Sequence, residues 1–156
     1  MAGHLLVAWQ PGQPSIASLR DDVLAGFADA ATDLAVVSRS APDTGIDEVD
    51  GAAGAVLLTT EHFGAVAGLF KDLLERIYPW FEEVPHRNPG LPYLLVAKGG
   101  SDGTGAVRDV TRILTGLRWR EILPPVVVRG HLPDADRAVV REQAATLAAG
   151  VATGVF

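Results

Sequence analysis

A chain of 156 residues with 48% apolar side chains is expected to form a single domain and can bury a full core without covalent staples. The absence of cysteine excludes disulfides, thiolate metal centres and a thiol nucleophile. The formal charge is −6, and the basic residues, of which only Lys71 and Lys98 are lysines, are scattered without a run, so nucleic acid is not expected as a partner.

In chain order, residues 4–9 come first. They form an apolar run without a basic leader, too short for a signal segment or a membrane span, and a cytoplasmic protein with no membrane partner is expected. Residues 5–9 read as a buried first strand. The turn Gln10-Pro11-Gly12-Gln13-Pro14 follows, then a helix with Ser15 as N-cap and Ile16, Leu19, Val23 and Phe27 as its apolar stripe. Strand two is predicted at 34–38 and strand three at 55–59, with the polar segment 39–54 mostly loop. A long amphipathic helix is predicted over 65–82, with Val66, Leu69, Phe70, Leu73, Leu74, Ile77 and Phe81 at three- and four-residue spacing.

A breaker at 85–90 precedes strand four at 93–97, and the glycine-rich loop 98–103 follows it. The next helix carries Val107, Val110, Ile113, Leu114 and Leu117 on one face. Strand five is predicted at 125–128 and a last helix at 133–152. Tyr78, Trp80, Phe81 and Trp119 read as core. Short apolar strands alternating with helices specify an α/β class with a parallel sheet. Right-handed crossovers suit a five-stranded sheet of order 2-1-3-4-5 with helices on both faces, a three-layer sandwich. Its ligand is expected at the carboxyl ends of the strands, at the switch point between strands one and three.

Three loops meet that edge. In the first, Gly12 permits a tight turn and Ser15 offers a hydroxyl at a helix N-terminus, while Pro11 and Pro14 remove two amides; an anion seat and an ordinary capped turn are both consistent with it. The second, Thr59-Thr60-Glu61-His62-Phe63-Gly64, is polar and aromatic where a planar ring could rest. His62 reads as a ring contact, a proton donor or plain polar surface. The third, 98–103, has three glycines that allow close approach of backbone to a ligand or serve the turn alone. The histidines His4, His62, His86 and His131 never fall at ligand spacing, and no metal is expected. GxGxxG after strand one, GxxxxGK[ST] and GxSxG are all absent.

Residues 50–64, Asp50-Gly51-Ala52-Ala53-Gly54-Ala55-Val56-Leu57-Leu58-Thr59-Thr60-Glu61-His62-Phe63-Gly64, resemble strand three and the T-P-x-Y-x-G-type flavin loop of the flavodoxin and NADPH-dependent FMN reductase superfamily. Gly68-Leu69-Phe70-Lys71-Asp72 is similar to that family's small-x-x-K-[DN] helix. Leu94-Leu95-Val96-Ala97-Lys98-Gly99-Gly100-Ser101 is similar to its strand four and flavin-edge loop, and Pro124-Pro125-Val126-Val127-Val128 to its strand five.

The resemblance implies a flavodoxin-like fold and non-covalent flavin mononucleotide (FMN). By position, Gln10, Gly12, Gln13, Ser15 and Ile16 would meet the phosphate, and Thr60, Glu61, His62, Phe63, Lys98, Gly99 and Gly100 the ring. It further implies a flavoprotein working in electron transfer, as a carrier or as an NAD(P)H-dependent oxidoreductase acting on a quinone or similar acceptor. Its partners would be flavin, NAD(P)H or a redox protein, and homo-oligomers occur in the family. Two departures keep a second expectation open. The family's first loop is typically S-x-T-G-N-T, where this chain has Gln10-Pro11-Gly12-Gln13-Pro14-Ser15, and the second loop's usual proline is Thr60. The alternative is a flavodoxin-like domain that has lost FMN and serves as an interaction module.

Overall fold

Apolar runs flanked by turn residues become the strands of one sheet in a computed structural model that describes residues 3–83 and 88–156. The strands are β1 (His4–Trp9), β2 (Ala35–Ser40), β3 (Ala52–His62), β4 (Ala65–Val66), β5 (Pro92–Gly99), β6 (Arg120–Glu121) and β7 (Val126–Arg129). The helices are α1 (Pro14–Asp29), α2 (Ile46–Asp50), α3 (Gly68–Glu83), α4 (Thr104–Gly116) and α5 (Asp134–Ala152). β1 pairs in parallel with β2 on one side and β3 on the other. β3 continues to β5, and β5 to both β6 and β7. The five principal strands therefore stand in the expected 2-1-3-4-5 order. β6 lengthens the far edge, and β4 is an antiparallel addition to the end of β3.

Side chains alternate across the pleat, so the sheet has two cores. Leu6, Ala8, Ala55, Leu57, Leu95 and Ala97 pack with Phe70, Leu73, Leu74 and Ile77 of α3 and with Val110 and Leu114 of α4. Leu5, Val7, Val56, Leu58, Leu94 and Val96 pack on the other face with Ile16, Leu19 and Val23 of α1 and with Val140, Ala144 and Leu147 of α5. Burial of each large side chain contributes roughly 1.5–3 kcal/mol. Of the aromatics read as core, Phe81 and Trp119 are buried, while Tyr78 and Trp80 are half-buried against it: Phe81 meets Trp119 edge-on at 6.2 Å, and Trp119 leans on Tyr93 at 6.5 Å.

Several predicted boundaries need correction. The helix predicted from residue 65 begins at Gly68, because 65 and 66 pair with the end of β3. The segment 39–54 contains α2, whose Glu48 carboxylate accepts from the Gly45 N–H at 2.8 Å, and β3 begins within it, at Ala52. Pro133 caps α5 rather than entering it. Residues 85–87 of the breaker, with His86, lie outside the described residues, as do 1 and 2 at the amino terminus.

Tyr93 provides a test of the core. Burial and then the nearby charge of Glu121 push its phenol up to about 12. The unfolded chain loses this proton near pH 10 and the folded chain near 12, so the stabilisation is complete below pH 10 and is lost as pH rises to 12. The loss is about 3 kcal/mol. In a Tyr78→Phe variant, where Tyr93 is the only tyrosine, phenolate absorbance is expected to rise only around pH 12 or together with unfolding. A rise centred near pH 10 in folded protein would contradict this burial.

Candidate functional site

Gln10 prolongs β1 by one residue, its N–H donating to the Leu58 carbonyl at 2.8 Å. Its side chain is only 4% exposed, and its Oε1 has no partner among the described residues. An amide oxygen buried this way costs about 1–3 kcal/mol until a donor arrives. Gly12, at φ +97°, then turns the chain. Ser15 is not the N-cap: Gln13 is, and Pro14 takes the first helical position, where its fixed φ fits and an N–H is not required.

The N–H groups of Ile16 and Ala17 both donate to the Gln13 carbonyl, at 3.1 and 3.3 Å, and the Ile16 side chain lies in the core. The amides of Gly12, Gln13 and Ser15 have no protein acceptor among the described residues. The first loop thus keeps three open N–H groups despite its two prolines.

The second loop is a hairpin. β3 runs to His62, turns through Phe63 and Gly64, and returns as β4 with Glu61 opposite Val66 and His62 opposite Ala65. Both turn residues have positive φ, 53° and 75°, as a two-residue turn matching the strand twist requires. Asparagine before glycine suits that geometry. A phenylalanine there bears about 1–2 kcal/mol of backbone strain, and the Phe63 ring is fully exposed.

His62 Nε2 lies 3.1 Å from Thr60 Oγ1 and 3.4 Å from Gln13 Nε2, so the imidazole joins the second loop to the first. Thr60 itself is buried, and its carbonyl accepts from the Ala67 N–H. Glu61 points away from the His62 side of the hairpin: its Oε2 accepts from the N–H groups of Gly105 at 2.7 Å and Ala106 at 3.4 Å, at the start of α4.

Lys98, which stands opposite Thr60, donates to the Gly99 carbonyl at 3.2 Å. Gly99 is buried; a Cβ there would lie 2.5 Å from the Gly103 nitrogen, so the third loop's own fold demands glycine. Gly100 differs, since a Cβ there would meet nothing within 4 Å. Its carbonyl accepts from the Gly130 N–H at 3.1 Å.

The residues missed in the sequence are those that hold the hairpin. Asp109 Oδ2 accepts from the Val66 N–H at 3.0 Å, and Arg108 donates to the Gly64 carbonyl at 3.4 Å. Burial pushes the Asp109 carboxyl up, but the Val66 N–H and the Arg108 guanidinium outweigh it, and its pKa lies below the usual carboxylate value. A Cβ on Gly105 would sit 2.0 Å from the Gly64 carbonyl oxygen, so the hairpin lies directly on bare backbone. These partners are 43 and 44 residues apart in the chain and carry no local signal.

Among the described residues no group of three or more histidines, cysteines or carboxylates could hold a metal ion, and no helix is long and apolar enough to cross a membrane.

No protein-family model and no curated protein sequence matches this chain. Solved structures do match. An archaeal flavodoxin superposes with a TM-score of 0.80 at 11% identity, over 95% of this chain and 98% of its own. The WrbA-like flavodoxin of Agrobacterium tumefaciens gives 0.76 at 12% identity, over 96% and 97%. Rubredoxin oxygen:oxidoreductase from Desulfovibrio gigas gives 0.81 at 15% identity over 97% of this chain, which spans only 37% of that larger protein. The fold is flavodoxin-like.

Proposed function

We propose that this chain is an FMN-binding, flavodoxin-like redox protein, either an electron carrier or an NAD(P)H-dependent reductase of a quinone or similar acceptor. The observation that carries the reading is Phe63, a fully exposed ring held in a strained backbone conformation beside a loop with open amides. Strain of this kind persists where surrounding structure imposes it, and such residues cluster at ligand sites.

The donor set fits the cofactor. The N–H groups of Gly12, Gln13 and Ser15 would hold its phosphate, and His62, Phe63, Gly99 and Gly100 would border the ring. Bound FMN would supply one- and two-electron chemistry, while these residues position it and limit its access to water. The flavodoxins that share the fold support the reading.

Pro11 and Pro14 favour the second reading, a domain that has lost FMN and acts as an interaction module. Titration of the purified protein into FMN separates the two. Saturable quenching of flavin fluorescence in the micromolar range or tighter is expected; no quenching at high micromolar concentration leaves the interaction module.

A further inference from the structure

We propose that Glu61 is a positioning residue, whose carboxylate holds the 60–66 hairpin on α4 so that Phe63 stands as a fixed wall beside the third loop. As far as the wall serves a flavin, this rests on the reading above; the holding itself does not.

The hairpin cannot hold itself. β4 has two residues, and two paired positions with a single further bond, from the Ala67 N–H to the Thr60 carbonyl, make a marginal ladder. Its turn also works against it, with phenylalanine where the left-handed backbone favours asparagine or glycine. Order must come from outside, and α4 supplies it. The Glu61 carboxylate takes two of the N–H groups at the start of that helix, where the field favours an anion. Asp109 takes the Val66 N–H on the returning strand. Gly105 lets the Gly64 carbonyl lie against the helix backbone.

The N-cap of α4, Gly103, offers no side-chain bond of its own, so Glu61 caps this helix from a distant strand. The same bonds weld the second loop to the end of the third. Glu61 therefore acts through Phe63, not by presenting its carboxylate to a ring.

The test compares Glu61→Ala and Glu61→Gln with the parent protein. In ligand-free protein, backbone NMR is expected to show Phe63 and Gly64 as ordered as the sheet. In Glu61→Ala their order is lost and amide exchange at Gly105 and Ala106 rises at least tenfold, while β1 and β5 keep their protection. Glu61→Gln, which retains an acceptor oxygen, restores most of that order. With FMN, Glu61→Ala is expected to weaken binding at least tenfold and diminish the visible circular dichroism of the bound flavin, and Glu61→Gln to recover both.

Unchanged order at Phe63 in Glu61→Ala overturns the proposal whether or not FMN binds. Absence of FMN binding to the parent protein overturns the flavin reading alone and leaves the NMR arm to decide this one. A variant that loses protection throughout the sheet would show Glu61 to be a general stability residue, and would also overturn it.

Discussion

Replacing Ser15 with glutamate is expected to abolish FMN binding, with at least a hundredfold loss of affinity, while leaving the fold as stable as before or slightly more so. Ser15 is the second residue of α1, and its N–H is one of three open at the first loop. A carboxylate there complements the helix N-terminus, which favours negative charge by about 0.3–1 kcal/mol. Toward a phosphate the same charge is repulsive: two unit charges about 5 Å apart at an effective dielectric of about 20 repel by roughly 3 kcal/mol, enough for the hundredfold loss. Riboflavin, which lacks the phosphate, should bind the variant and the parent alike. If FMN affinity is unchanged in Ser15→Glu, the phosphate does not sit at the first loop.

Replacing Gly26 with valine is expected to cost at least about 3 kcal/mol of stability in urea unfolding, lowering the melting temperature by roughly 6–12 °C. An exposed helical glycine would show the opposite sign on substitution by a better helix former. Gly26 lies where α1 crosses α5, and a Cβ there would fall 2.2 Å from the Arg141 carbonyl oxygen and 2.9 Å from Ala144 Cβ. A backbone oxygen cannot rotate aside, so the two helices must separate and open the core between Val23, Phe27, Ala144 and Leu147. Of the ion pairs beside the crossing, Asp29 with Arg141 is exposed and Asp22 with Arg137 half-buried, and neither relieves a backbone clash. A Gly26→Val protein as stable as the parent would mean that the crossing is looser than described.

Both predictions depend on facts of different legibility. The five principal strands are readable because each carries a short apolar run, and β1, β3 and β5 are buried on both faces, whereas β4 and β6, of two residues each, have no such signal. Their order followed from the right-handed crossover, a rule of chain chirality. Gly12, Ser15, His62 and Lys98 were placed at one edge by that topology alone. Ser15 was misread as a cap because serine is a favoured capping residue; Pro14 prevailed, its locked φ being already helical.

The fold and its sheet order are legible in the amino-acid pattern, because they follow from hydrophobic periodicity and from backbone chirality, both written locally. The form of the second loop comes instead from contacts between distant segments. Phe63-Gly64 is a poor hairpin signal, and the hairpin's outside contacts join Glu61 to the N–H groups of Gly105 and Ala106 and the Val66 N–H to Asp109 of α4, partners more than forty residues apart in the chain. The same holds for the burial of Gln10, whose Oε1 has no partner among the described residues, and for Gly26 and Gly105 as sites of backbone contact. Those properties belong to pairs of residues distant in the chain, and a pattern confined to neighbouring positions carries no trace of them.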